Sequence, residues 1–219
     1  MKKPRICTVI TRRDEIAIRE AEPFTELFEV RIDLIGEGWQ EIVGQIGKPW
    51  IACARSAGEG GEWSGSEELR LELLAQAIDL GCDMVDIELR TLNLNRSIET
   101  IKNRGVKCLI SLHLMDKTPP LGELRKIVEE QLRYGADICK VITTARKVED
   151  NLTALELIRG FPATRLVSFA MGMPGVMSRI MCPLVGGDFT YASIEEGRES
   201  APGQITLGQL KRIYEMMAK

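Results

Sequence analysis

The sequence predicts an α/β protein, a single (β/α)8 barrel over residues 1–219 that forms one catalytic domain. Three observations predict it. Short β-rich runs of Val, Ile, Cys and Leu recur eight times, several of them continuously apolar, as strands buried on both faces are. Helical patterns lie between them, and strand alternating with helix means parallel βαβ units. The chain has 219 residues, and barrels of roughly 200–250 residues fold as single units. A doubly wound open sheet is the alternative. It is disfavoured because no Gly-rich dinucleotide fingerprint follows the first strand.

The first strand is read over Arg5–Ile10 and the second over Leu27–Asp33. The second carries Glu29, Arg31 and Asp33 at alternate positions, which sends all three to one face. Three charges pointing into a barrel are costly unless they pair with one another or with a ligand. The third strand, Trp50–Ala54, runs into Arg55 and then Ser-Ala-Gly-Glu-Gly-Gly-Glu. A helix over Ser66–Leu80 opens with Ser-x-Glu-Glu. The fourth strand, Met84–Leu89, holds Asp86 and Glu88 on one face. The fifth, Lys107–His113, ends in Ser-Leu-His and places His113 at the rim. After a helix over Leu121–Tyr134, the sixth strand, Asp137–Thr143, holds Lys140 inside Ile-Cys-Lys-Val-Ile. A helix over Val148–Arg159 leads to the seventh strand, Arg165–Ala170, and on to Ser178 and Arg179. The eighth strand, Asp188–Ala192, and a helix over Thr206–Met217 complete the pattern. No internal repeat, linker or low-complexity stretch interrupts it.

Composition excludes several classes. Hydrophobic residues make up 44%, charged residues 28%, and the net charge is -3. No basic tract stands out, so no nucleic-acid partner is expected. The apolar runs fall far short of the roughly 18 residues of a membrane span, and the first of them is too short for a signal-peptide core. The six cysteines, Cys7, Cys53, Cys82, Cys108, Cys139 and Cys182, include no C-x-x-C pair. They read as reduced and structural, which makes the expected location cytoplasmic. A nucleophilic cysteine would lack a base, because His113 is the only histidine.

In a barrel the chemistry sits where strands end at the C-terminal face. Taken singly, each polar residue there has a bland reading. A lone histidine after a strand is more often structural, Glu29, Arg31 and Asp33 could form an ion-pair layer, and Arg179 could cap a helix. Lysine, however, is almost never fully buried without a partner or a task, and all these residues fall near one face. A lysine in a low-dielectric site near cations has a lowered pKa and is a Schiff-base nucleophile. The resulting iminium acidifies the adjacent C–H, which a histidine can deprotonate. Arginines imply an anionic substrate, most simply a carboxylate. The residues therefore suggest imine chemistry on a small polyhydroxylated keto acid, with aldol cleavage and dehydration fitting equally.

The ordered motifs resemble those of the type I 3-dehydroquinate dehydratases. Glu29-Val30-Arg31-Ile32-Asp33 is similar to the family's Glu-x-Arg-x-Asp strand, and Arg55-Ser56-Ala57-Gly58-Glu59-Gly60-Gly61 to its third-strand loop. Asp86-Ile87-Glu88 and Ser111-Leu112-His113 with Thr118-Pro119 follow. Lys140 stands where the family has its imine lysine. Gly172, Gly175 and Ser178-Arg179 resemble the carboxylate-binding segment, and Ser200-Ala201-Pro202-Gly203-Gln204 the loop that closes over the substrate. The resemblance implies dehydration of 3-dehydroquinate to 3-dehydroshikimate in the shikimate pathway. It further implies that Lys140 forms the imine, that His113 shuttles the proton, and that Glu59 orients or tunes His113. By the same resemblance Arg179, Gln204 and Ser200 are expected to hold the carboxylate, and Glu29, Arg31 and Arg55 to bind ring hydroxyls. No metal and no organic cofactor are expected, and a homodimer is.

Two departures stand out. Leu114-Met115 replaces the usual Asp-Phe after the histidine. The chain also opens at its first strand, so the expected barrel lacks the N-terminal hairpin of bacterial relatives. A class I aldolase is disfavoured by the Ser-Ala-Pro-Gly-Gln loop, and a catalytically inactive regulator by the full set of candidate residues. Segment 195–204, rich in Gly, Pro and polar residues, is expected to act as a mobile lid.

Overall fold

The computed structural model describes residues 3–218. In chain order its principal elements are β1 (Ile6–Ile10), α1 (Glu15–Ala21), β2 (Leu27–Arg31), α2 (Ile32–Ile35), α3 (Gln40–Val43), β3 (Trp50–Cys53) and α4 (Glu67–Asp79). Then come β4 (Met84–Glu88), α5 (Leu94–Asn103), β5 (Lys107–His113), α6 (Leu121–Arg133), β6 (Ile138–Thr144), α7 (Asp150–Arg159) and β7 (Leu166–Met171). The last are α8 (Val176–Met181), β8 (Thr190–Ser193), β9 (Ile205–Thr206) and α9 (Leu207–Met217). Local chemistry sets several starts. Asp14 caps α1 by accepting from the Ala17 amide (3.0 Å), and Ser66 caps α4 at the Leu69 amide. Thr206 and Gln209 form a reciprocal capping box on α9.

The strands pair in parallel in the order β7-β6-β5-β4-β3-β2-β1-β8-β9, so the sheet curls through β1 as a barrel does. Among the described residues, ladder pairing between neighbouring strands is absent only at the seam between β7 and β8. Other contacts cross it. The Asp188 amide donates to the Leu166 carbonyl (2.9 Å), and Asp188 pairs with Arg165 (2.8 Å). At the other end of the seam the Gly172 amide donates to Pro202 O (3.0 Å), while β9 pairs with β8. A Cβ on Gly203, which has φ +72°, would lie 2.5 Å from the Gly172 carbonyl, so glycine permits this approach.

The interior is layered. Leu27, Ile51, Met84, Leu109, Ile138 and Phe189 belong to one buried apolar cluster. Two residues further along the same strands or their extensions stand Glu29, Cys53, Asp86, Ser111, Lys140 and Tyr191, all buried. Because side chains alternate with period two, both sets face the same side. Moving toward the C-terminal ends therefore exchanges an apolar plug for a polar floor.

The structure corrects some boundaries. Strand two stops at Arg31, and Asp33 lies in the first turn of α2. Asp33 still meets Arg31, in a bidentate pair at 2.6 and 2.9 Å. The helices α1, α2, α3, α5 and α8 and the strand β9 lay outside the sequence reading. Helix α5 is short in apolar residues, with only Leu94, Ile98 and Ile101 buried, and β9 exists only because the chain returns to β8.

Candidate active site

All nine residues singled out from the sequence, Glu29, Arg31, Arg55, Glu59, His113, Lys140, Arg179, Ser200 and Gln204, line one cavity at the C-terminal ends of the strands. The space between its walls is about 530 Å³ including the open mouth. Phe169, Met171, Met115 and Tyr191 supply apolar wall.

Lys140 is buried, and its ammonium has three partners. Asp86 Oδ2 lies at 2.9 Å, Tyr191 OH at 2.9 Å and Glu29 Oε2 at 3.3 Å. Burial alone would depress its pKa, but Asp86 and Glu29 outweigh burial and Arg55 and raise it. This reverses the depressed pKa expected from the apolar flanks of strand six. Those flanks are visible in the sequence, whereas the two carboxylates arrive from β2 and β4.

Arg55 extends from the end of β3 into a buried net. Nη2 donates to Asp86 (2.7 Å), and Nη1 donates to Ser111 (2.8 Å) and Glu88 (3.2 Å). Glu88 also accepts from the Ser56 amide and hydroxyl, both at 2.8 Å. Against the cost of burial, Arg55 and Lys140 hold the Asp86 carboxyl far below the usual range. The guanidinium of Arg55 thus fixes carboxylates first, and any contact with a ligand is additional. The next turn is tight: a Cβ on Gly61 would lie 2.1 Å from the Arg55 carbonyl, so glycine is needed there.

His113 closes β5. Glu59 Oε2 lies 2.9 Å from its Nδ1 and accepts from its backbone amide at 2.8 Å. A carboxylate at Nδ1 selects the tautomer with Nδ1–H and leaves Nε2 as a free lone pair. Burial, helped by Arg55 and Lys140, pushes the His113 pKa well below 6.5, so the imidazole is neutral at pH 7. Burial also raises Glu59 to about 7, against the pull of Arg55.

Arg179 differs from every other cation in the cavity. It is buried in α8, and its Nε and Nη2 have no hydrogen-bond partner among the described residues. Its guanidinium stacks on Phe169 at 4.3 Å from the ring centroid. Burial lowers its pKa to about 10, which leaves it charged at neutral pH. Ser178 beside it is structural, accepting from the Ala170 amide (3.0 Å) and donating to Gly175 O (2.8 Å).

Ser200 and Gln204 stand in the loop over the mouth, where Gln204 Oε1 accepts from the Ser200 amide (2.6 Å) and hydroxyl (3.2 Å). The loop is tethered outside the cavity by Arg198–Asp14 (2.8 Å) and Arg12–Glu195 (3.2 Å). Glu29, Cys53 and Asp86 approach one another closely enough to suggest a metal. Lys140 and Arg55 already occupy that space with positive charge, so the donor set does not fit a cation. All six cysteines are free and buried, as the sequence suggested.

Sequence reasoning left Tyr191 unassigned and gave Asp86 only a place in a motif. Alternation on strand four had put Asp86 on one face with Glu88. Nothing in Phe-Thr-Tyr-Ala-Ser marks Tyr191 as more than core.

The family model described as "Type I 3-dehydroquinase" matches residues 6–219. A 3-dehydroquinate dehydratase of Dehalococcoides mccartyi is 44% identical over 214 residues, covering 98% of this chain and 96% of its own. One from Methanosarcina mazei is 36% identical, covering 99% and 96%. Among solved structures, the 3-dehydroquinate dehydratase of Geobacillus kaustophilus HTA426 superposes with a TM-score of 0.84 at 28% identity, over 99% of this chain and 92% of that one. That of Aquifex aeolicus VF5 gives 0.82 at 27%, over 98% and 99%. With a barrel whose strand ends carry the motifs and relatives matched over nearly their whole length, the chain belongs to the type I 3-dehydroquinase family.

Proposed function

We propose that the chain dehydrates 3-dehydroquinate to 3-dehydroshikimate through an imine on Lys140, as a hydro-lyase of the shikimate pathway. One observation carries the reading: a buried, charged and unpaired guanidinium, Arg179, shares a cavity with a buried lysine and a neutral histidine. An unpaired buried charge is costly unless a ligand completes it, and a carboxylate matches a guanidinium bidentately. The substrate then carries both a carboxylate and a carbonyl.

In this reading Lys140 condenses with the C3 ketone, and the iminium acidifies the C2–H bond. His113 Nε2 takes the C2 proton while Glu59 holds Nδ1–H. The electron pair forms the C1–C2 double bond, and the C1 hydroxyl leaves as water after receiving that proton. Arg179, Ser200 and Gln204 hold the carboxylate. Glu29, Arg31 and Arg55 meet the ring hydroxyls. The protein's own residues supply each role, so the mechanism calls for no metal or organic cofactor.

The six free thiols support a reducing, cytoplasmic setting. No helix among the described residues is long and apolar enough to cross a membrane, and the net charge of -3 favours no nucleic-acid partner. A single catalytic domain and a homodimer follow from the family resemblance. Limited proteolysis and light scattering check them.

Borohydride treatment with and without 3-dehydroquinate, followed by peptide mapping, tests the mechanism. A substrate-dependent adduct on Lys140 is expected. An adduct on Lys102, Lys107 or any other lysine overturns it.

A further inference from the structure

Imine formation on an ammonium needs two protons to leave nitrogen and two to reach oxygen. The groups around Lys140 differ in their fitness for that transfer. Asp86 is fastened by Arg55 at 2.7 Å and by the Ser111 hydroxyl at 2.6 Å, and it stays ionised. It is a counter-ion rather than a carrier. Glu29 is the more distant partner, at 3.3 Å. The third partner, Tyr191 OH, accepts from Lys140 Nζ at 2.9 Å. A phenol that accepts one hydrogen bond still has its own O–H to give.

The phenol is held in place. The ring of Tyr191 packs edge-on against Phe169 and Phe189, with centroids 6.3 and 5.4 Å away, and Lys140 Nζ lies 4.2 Å from the Tyr191 centroid. The residue is 4% exposed and lines the cavity. Burial first, then the fields of Glu29, Cys7 and Asp86 and a hydrogen bond from the phenol to Glu29, keep the phenol neutral well above its usual range, so the O–H turns from Glu29 to the carbonyl when the relay runs.

We propose that Tyr191 is a catalytic residue of imine formation and hydrolysis, relaying protons between Lys140 Nζ and the oxygen of the bound carbonyl.

The balance closes without an external acid or base. In the first pass an Nζ proton moves to the phenol oxygen while the phenol proton moves to the carbonyl oxygen. The nitrogen lone pair forms the C–N bond, and the carbonyl π bond becomes C–OH. In the second pass another Nζ proton follows the same route, and the C–O bond breaks as C=N forms. Water departs with both protons, and the nitrogen keeps one hydrogen and the positive charge. Tyr191 ends each pass as it began. The raised pKa of Lys140 then poses no obstacle, because its surplus protons are those of the released water. His113 is left with the carbon-bound proton.

This inference rests on the imine reading, and the test separates the two. Tyr191→Phe keeps the ring and its aromatic contacts and removes only the hydroxyl. Rapid mixing with 3-dehydroquinate, borohydride quench and mass spectrometry give the rate of adduct formation on Lys140 in both proteins. The rate is expected to fall about 10²-fold in the variant, the lower end of what a positioned acid–base group contributes. KM should change little, and the circular dichroism spectrum should match that of the wild type. Equal adduct rates in the two proteins overturn the role of Tyr191 and leave the imine reading standing. No adduct on wild-type Lys140 overturns both. Should Tyr191→Phe misfold, the same quench in deuterium oxide decides the question with wild type alone. A relay through two transferring protons slows adduct formation, and an unchanged rate overturns it.

Discussion

Arg55 and Arg179 are both buried arginines in one cavity, on opposite sides of the barrel. On the β2–β6 side, Arg55 joins Asp86, Glu88 and Ser111, and Lys140 joins Asp86 and Glu29. On the side of the β7–β8 seam, Arg179 has an aromatic face and two orphaned nitrogens. The pKa of one is pushed up by its carboxylates, while that of the other is pushed down by burial. The difference teaches where the protein has completed its own electrostatics and where it leaves them to a ligand. The complete side holds Lys140 Nζ among fixed partners, as the proposed imine chemistry requires. In the proposed reaction the incomplete side meets the substrate carboxylate, and the same side carries the loop that closes the seam.

The largest break in this comparison comes from the complete side. Lys140→Ala should reduce turnover of 3-dehydroquinate to background and remove the borohydride adduct, while equilibrium dialysis still detects weak substrate binding through Arg179. Retained turnover would place the nucleophile elsewhere. His113→Ala follows, with an expected loss of roughly 10²–10⁴-fold in kcat. The adduct on Lys140 should still form, because the group that handles the carbon-bound proton is distinct from the nitrogen. A variant within about tenfold of wild type, below that acid–base range, removes His113 from the mechanism.

The two arginines give the sharpest contrast. Arg55→Ala strands Asp86 and Glu88 in the interior, and breaking a buried pair costs about 3–5 kcal/mol, read by urea unfolding. Arg179→Met removes an unpaired charge, so stability should hold or rise. Its KM should climb about 10²-fold, equivalent to the roughly 2–3 kcal/mol of a charge-assisted hydrogen bond. If both variants lose stability alike, Arg179 has a structural partner and the comparison fails.

A smaller effect concerns pH. Glu59 has a folded-state pKa raised to about 7, so it gains a proton as pH falls through that value. Protonation weakens its hold on His113 Nδ1–H, so kcat/KM should decline on the acid side of about pH 7. In Glu59→Gln that decline should move below pH 6.5, where the depressed His113 itself titrates. An unmoved profile assigns the limb to another group. The smallest effect is expected at the loop. Arg198→Ala cuts a part-buried tether to Asp14 at the edge of the loop. KM should rise only a few-fold, with faster amide exchange over 195–204. Unchanged exchange would show that Arg198 does not hold the loop.

Much of this site was legible residue by residue. Lys140 stood out as a charge within Ile-Cys-Lys-Val-Ile, His113 as the sole histidine at a strand end, and Glu29 and Arg31 by alternation. Short elements such as α2 and β9 were not legible, because four-residue and two-residue segments carry no periodicity of their own. Tyr191 was hidden because a tyrosine in an apolar strand looks like core until its hydroxyl is given a neighbour.

The sequence by itself determined the alternation of strand and helix, the inward face of each strand and the inventory of reactive groups. Periodicity and residue type are local properties, and each survives without knowledge of the rest of the chain. Only the tertiary structure decided which charges meet. Lys140 finds Glu29 from 111 residues away, Asp86 from 54 and Tyr191 from 51. Those meetings reverse the sign of its pKa shift. The fold also decided that Arg55 is satisfied and Arg179 is not, although both read alike in the sequence. Electrostatic energy depends on distance and on burial, and a one-dimensional pattern specifies neither between strands that only the closing sheet brings together.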